Sequence, residues 1–145
     1  MTRYAFVQFY YGQTVNMVLQ VVDAEEKPTE LPNGVNGYWV DATDYPGVQV
    51  GWKGTTSGYP YTDWVLSELT YQEYVDLATK QIQDLLTVAV NWLKVNPLQY
   101  KLDLGVASPE EQTLLQAYKQ YYVDVADVNK QSGYPSAINW PAAPF

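Results

Sequence analysis

Near Thr70 the apolar residues of this chain stop clustering in short runs and begin to recur at helical spacing. A pattern that switches once, from strand-like to helical, points to segregated α+β architecture rather than alternating units around a parallel sheet. Upstream, residues 4–11 and 15–22 are dense in aromatic and β-branched side chains, with Gly12-Gln13 placed for a tight hairpin between them. The polar stretch 23–37 carries Glu25, Glu26, Lys27, Pro28 and Pro32-Asn33-Gly34, and reads as exposed loop. Tyr38-Trp39-Val40 and Val48-Gln49-Val50-Gly51-Trp52 read as strands around a turn at Asp44-Tyr45-Pro46-Gly47. Gly54-Thr55-Thr56-Ser57-Gly58 reads as a hairpin tip returning through Tyr59-Pro60-Tyr61.

Downstream, Thr70-Tyr71-Gln72-Glu73 fits a capping box, in which the Thr hydroxyl accepts from the third helical amide and Glu73 reaches back to the cap amide. The stripe Tyr71, Val75, Ala78, Ile82, Leu85, Ala89, Trp92 keeps one helix face apolar, and Asn96-Pro97 stops it. Ser108-Pro109-Glu110-Glu111 opens a second helix: Ser caps, Pro takes the first position, and the acids meet the positive end of the dipole. Its stripe is Leu114, Tyr118, Tyr121, Val125, Val128, so the two helices are expected to form an antiparallel hairpin. The first helix also carries Leu77, Leu86, Val88, Val90 and Leu93 off its stripe. One partner helix cannot cover all of these, so part of that surface is expected to meet another chain. After Gly133, three prolines and the aromatics Tyr134, Trp140 and Phe145 describe an extended strap. The expectation is α+β: a small antiparallel β N-terminal half, residues 1–66, then a helical C-terminal domain, 67–145, ending in a Pro-rich strap.

Charge and residue types narrow the function. Sixteen acids against 8 bases give a net charge of −8, which disfavours nucleic acid and anionic membrane as partners. With no cysteine and no histidine, disulfides, thiolate zinc sites and Cys or His catalysis are removed. The opening Met1-Thr2-Arg3-Tyr4 leads into no small-residue cleavage site, so no signal peptide is expected. Residues 85–93 form the densest apolar run, too short to span a bilayer. No calcium loop or phosphate loop is present, and no cofactor or metal is expected. Two acids suffice for glycoside hydrolysis, and Asp41 and Asp44 flank aromatic residues; the competing reading is that these acids stabilise the turn before Pro46-Gly47. The 5 Trp, 14 Tyr and 3 Phe admit two readings: a surface buried only when a partner arrives, or large rings filling a small core.

An ordered series in the C-terminal half carries a resemblance. Leu104-Gly105-Val106-Ala107-Ser108-Pro109-Glu110-Glu111 is followed by Leu114-Leu115-Gln116-Ala117-Tyr118-Lys119-Gln120-Tyr121 and Val123-Asp124-Val125-Ala126-Asp127-Val128. The series closes on Tyr134-Pro135-Ser136-Ala137-Ile138-Asn139-Trp140-Pro141-Ala142-Ala143-Pro144, and upstream Trp39-Val40-Asp41-Ala42-Thr43 and Val50-Gly51-Trp52 look like the family's β segment. This resembles the phage tail fibre assembly proteins, chaperones of tailed bacteriophages and prophages. The resemblance implies a non-enzymatic chaperone that binds the distal C-terminal tip of a trimeric tail fibre, promotes its folding and trimerisation, and in some members stays on the tip. It implies action in the host cytoplasm during assembly, with the virion tail fibre as the other location, and leaves homo-oligomer or fibre complex open. Contact candidates are Tyr38, Trp39, Trp52, Tyr59 and Tyr61 in the β half and Trp140 and Pro141 in the tail, each with core packing as the competing reading. The alternative function is a glycan- or receptor-binding module at the phage tip, using ring stacking.

Overall fold

The computed structural model describes residues 1–13 and 15–145. The chain divides into two compact units, Met1–Leu69 and Thr70–Phe145, and the order is α+β.

The first unit is a five-stranded antiparallel sheet of β1 (Thr2–Gln8), β2 (Asn16–Ala24), β3 (Gly37–Asp41), β4 (Lys53–Thr56) and β5 (Trp64–Ser67), in the order β3-β1-β2-β4-β5. The interior strand β1, between β3 and β2, is buried on both faces, as its unbroken run Tyr4-Ala5-Phe6-Val7 requires. Strand alternation sends Ala5 and Val7 to one core with Val18, Val40, Ala42, Val48 and Leu66. Tyr4 and Phe6 go to the other face with Trp39. Phe6 and Val7 are fully buried, each worth about 1.5–3 kcal/mol in transfer from water. A β-bulge falls between Phe6, paired with Gln20, and Val7, paired with Val18. Bulges bend strands and increase twist, and this sheet curls strongly: Tyr38 on edge strand β3 and Trp64 on the opposite edge strand β5 have ring centroids only 5.6 Å apart. Gly54 makes room for that closure, because a Cβ there would lie 2.9 Å from Val7 Cγ1 and 3.0 Å from the Trp64 ring.

Several β boundaries differ from the sequence reading. The first hairpin is wider than Gly12-Gln13, since β1 ends at Gln8 and β2 starts at Asn16. Residues 48–52 are turns rather than a strand: Gly51 has φ +96°, and Trp52 N donates to Gln49 O at 3.2 Å. The expected hairpin tip at 54–58 is largely β4, the tip lies at 57–63, and the return strand is β5. The loop of residues 25–36 is mostly exposed but anchored, for Val35 packs on the Tyr4–Phe6–Trp39 face and Glu30 O accepts from Trp39 Nε1 at 2.8 Å.

The second unit contains α1 (Tyr71–Val95), α2 (Leu98–Asp103) and α3 (Pro109–Ala126). The capping box at Thr70 is formed in both directions, Glu73 N to Thr70 Oγ1 at 3.2 Å and Thr70 N to Glu73 Oε1 at 3.1 Å. Ser108 caps α3 by accepting from Glu111 N at 3.1 Å. Ala89, Tyr118, Tyr121 and Val125 form the core, with Ile82, Leu85 and Trp92 packed against it. Tyr71, at the first helical position, is exposed instead of buried. The segment joining the two long helices contains α2, tied to α3 by Lys101 Nζ–Glu111 Oε2 at 2.7 Å. Beyond α3 the chain does not run simply extended. Residues 132–136 are turns, with Ala137 N donating to Gly133 O at 2.7 Å. The Gln131 amide then bridges Asn139 N and O at 2.9 Å each. Phe145 stacks on Trp92 at 4.7 Å and meets Tyr121 edge-on at 5.7 Å.

Candidate functional site

Period-two alternation continues past the end of β1, so Phe9 follows Ala5 and Val7 on the inner face. Tyr38 stands two residues before Val40 and Trp64 two before Leu66, both inner-core positions. The curl of the sheet therefore collects Phe9, Tyr38 and Trp64 at one end of the inner core. The β4–β5 loop adds Tyr61, 4.8 Å from Phe9 and 5.8 Å from Tyr38. Tyr59 stands perpendicular to Tyr61, at 6.0 Å and 85°, and is 88% exposed.

The loop that presents these rings is held firmly. Asp63 accepts from Thr56 Oγ1 at 3.0 Å and from Ser57 N at 3.3 Å, and the Ser57 hydroxyl also donates to it. These bonds, Ser57 first and Thr56 next, hold the Asp63 carboxyl below the usual carboxylate range. Trp64 Nε1 donates to Tyr61 O at 2.8 Å, and Tyr61 N donates to Gly58 O at 2.7 Å. Tyr61 sits at φ +59°, a left-handed conformation that a bulky side chain rarely adopts and that neighbouring contacts must enforce. The result is a pre-ordered ring surface with one fully presented member. Such rings lose little conformational freedom when a partner covers them.

Of the seven residues expected to make contacts, the structure gathers Tyr38, Tyr59 and Tyr61 in this cluster. Trp39 is not an exposed aromatic: it is 8% exposed and points to the opposite face, where the 25–36 loop covers it. Trp52 packs half-buried against the inner core, its Nε1 buried with no hydrogen-bond partner among the described residues. Trp140 and Pro141 belong to the helical unit, where Trp140 lines a cavity of about 230 Å³ with Tyr74, Leu77 and Ala78. Phe9 and Trp64 belong to the cluster and were missed. Their signal was alternation, Phe9 in phase with Val7 and Trp64 in phase with Leu66.

Of the two acids before Pro46-Gly47, Asp41 takes a structural role. Asp41 Oδ1 accepts from Thr43 N at 2.9 Å and from the Thr43 hydroxyl, which lowers the Asp41 pKa, the hydroxyl bond contributing most. That is the turn-stabilising arrangement, and a carboxyl held ionised lacks the proton a general acid donates. Among the described residues no three acids converge where they could hold a metal ion. No helix among them is long and apolar enough to cross a membrane.

A family model described as Caudovirales tail fibre assembly protein, lambda gpK, matches residues 10–145. The chain belongs to this tail fibre assembly protein family. The match spans both units, taking in Tyr38, Tyr59, Tyr61 and Trp64 of the ring cluster and all three helices; Phe9 stands just before it. The family is one of assembly proteins, which makes a phage tail fibre the partner and is consistent with the host cytoplasm as the place of assembly. No curated protein and no solved structure matches the chain.

Proposed function

We propose that this chain is a non-enzymatic chaperone that binds the distal C-terminal end of a phage tail fibre and promotes its folding and trimerisation, with Tyr59 and Tyr61 as principal contacts. The observation that carries the reading is the ring cluster: five aromatic side chains, Phe9, Tyr38, Tyr59, Tyr61 and Trp64, pre-ordered at one end of a sheet with Tyr59 88% exposed. Intertwined β structures form slowly through non-local contacts and expose adhesive edges meanwhile. A rigid aromatic surface can cover such edges, and Tyr and Trp are the side chains that dominate interface energies. Binding energy alone biases the outcome, so neither nucleotide nor metal is required.

Co-expression tests this reading. The fibre protein is expressed with the wild-type chain, with a Tyr59→Ala/Tyr61→Ala variant, and alone. The reading expects soluble SDS-resistant fibre trimers with the wild type and few with the variant or without the chain. Equal trimer yield in all three defeats it. A second reading, glycan binding at the phage tip by a chain that remains on the fibre, draws on the perpendicular setting of Tyr59, which leaves a ring face open for stacking. Specific binding on a glycan array by the isolated chain, lost in Tyr59→Ala, would favour it.

A further inference from the structure

α1 uses one face to meet α3, and a neighbouring face remains uncovered. Gln83, Leu86, Thr87, Val90, Asn91 and Lys94 recur at steps of three and four along that face. Two depressions lie on it, of about 300 Å³ and about 400 Å³, and they share Val90 and Lys94. Together they make one groove along α1. Tyr118 and Tyr100 line one end and Leu86 and Tyr122 the other.

The groove has a definite chemistry. Tyr118 already donates its hydroxyl to Ala89 O at 2.9 Å, so that proton is not free for an occupant. Val90 is 38% exposed and Tyr100 73% exposed, apolar area still in water. Among the described residues no acid lines either depression, although the chain has 16 acids against 8 bases. Among them Lys94 is the only charged side chain in the lining. In the same unit Lys80, Lys101 and Lys130 each pair with a carboxylate, at 2.6, 2.7 and 2.9 Å. Lys94, like Lys119, makes no ion pair among the described residues, and of these two only Lys94 lines the groove.

We propose that this groove is a second docking site for the tail fibre polypeptide, taking an apolar segment that carries one carboxylate to pair with Lys94. The proposal rests on the fibre-binding reading and extends it to the helical unit. Charge complementarity selects this occupant. Two copies docking groove to groove would find no acid in either lining to pair with Lys94, and each copy carries a net charge of −8 that opposes self-association. A fibre segment with an acidic side chain supplies what the groove lacks.

The test is titration of the full-length chain with a fibre tip fragment by calorimetry, at two salt concentrations, for the wild type and for Lys94→Glu, Lys94→Arg and Val90→Asp. Lys94 and Val90 lie on the helix surface, and far-UV circular dichroism establishes that each variant is folded. Lys94→Glu is expected to weaken binding about tenfold or more, and Lys94→Arg to retain it. Salt is expected to weaken the wild type more than Lys94→Glu. Should the wild type bind while Lys94→Glu and Val90→Asp bind within twofold of it, the groove is not a fibre site and the chaperone reading stands. Should the wild type not bind at all, the chaperone reading itself falls and the groove with it. A wild-type dimer in sedimentation that Val90→Asp abolishes overturns the proposal in favour of a second copy.

Discussion

The curl of the sheet brings two edge strands within ring contact, and a double-mutant cycle can measure how much that seam contributes. Trp64 lies 5.6 Å from Tyr38 and 6.3 Å from Phe9, and its Nε1 bonds Tyr61 O. Truncating a fully buried Trp costs about 3–5 kcal/mol. Trp64 is half-buried, so Trp64→Ala should destabilise the β unit by about 2 kcal/mol. Tyr38→Ala should cost somewhat less, about 1–2 kcal/mol, since among the described residues the Tyr38 hydroxyl makes no hydrogen bond that truncation would remove. An aromatic pair adds about 0.5–1.5 kcal/mol beyond its buried area, so the double mutant should fall short of the sum by about 1 kcal/mol. Urea denaturation read from amide resonances of β1 and β3 isolates the β unit from the helical one. Additivity within about 0.3 kcal/mol would mean that the edges do not hold one another. The same single variants should loosen the 57–63 loop and so weaken fibre binding even with Tyr59 intact.

Three further outcomes follow from particular contacts. Phe145→Ala removes a half-buried ring stacked on Trp92 and touching Tyr118 and Tyr121; it should cost the helical unit about 2 kcal/mol, which calorimetry would show as a melting temperature roughly 8–16 °C lower. Tyr118→Phe deletes the bond to Ala89 O, at an expected cost of about 1 kcal/mol in chemical denaturation. Burial, with the neighbouring Tyr122, raises the Tyr118 pKa, so this variant should lack a phenol that ionises above the ordinary tyrosine range in an alkaline absorbance titration. Asp63 has a depressed pKa in the folded chain, so its contribution to the loop is present above the usual carboxylate range and is lost as pH falls through its folded value. Amide resonances of residues 57–63 should therefore shift only below that range, and Asp63→Asn should remove the acid-dependent step.

The helices were legible because their signals are local. Thr70 with Glu73 and Ser108 with Pro109 mark both starts by hydrogen bonds made within one turn, and the stripes through Ala89 and Tyr118 identify the packed faces. The β unit was legible in content but not in register. Gly51 turns the chain where Val48-Gln49-Val50 looked like a strand, and β4 runs through a Gly-Thr-Thr segment that composition alone reads as a turn. Gly54 is in that strand because Val7, far away in sequence, packs against its α-carbon. Nothing local encodes such a contact. The same holds for the ring cluster. Tyr38, Tyr59 and Tyr61 could be named from their type, but Trp39 points to the opposite face because strand alternation separates it from Tyr38. Phe9 and Trp64 join the cluster only because the sheet curls enough for β3 to meet β5. The tail departs from an extended strap at Gly133, where a Cβ would stand 2.1 Å from Ala137 O; this is a tight local turn that the proline count does not reveal.

The account holds that this protein works by presenting a pre-ordered aromatic surface to an unfinished fibre tip. The most direct measurement is refolding of a denatured fibre tip fragment with purified chain and no nucleotide, scored as SDS-resistant trimer against chain concentration. Trimer yield should rise with wild-type chain to saturation and should rise far less with Tyr59→Ala/Tyr61→Ala. A yield indifferent to the chain, or one that the double variant raises as well as the wild type, would contradict the account.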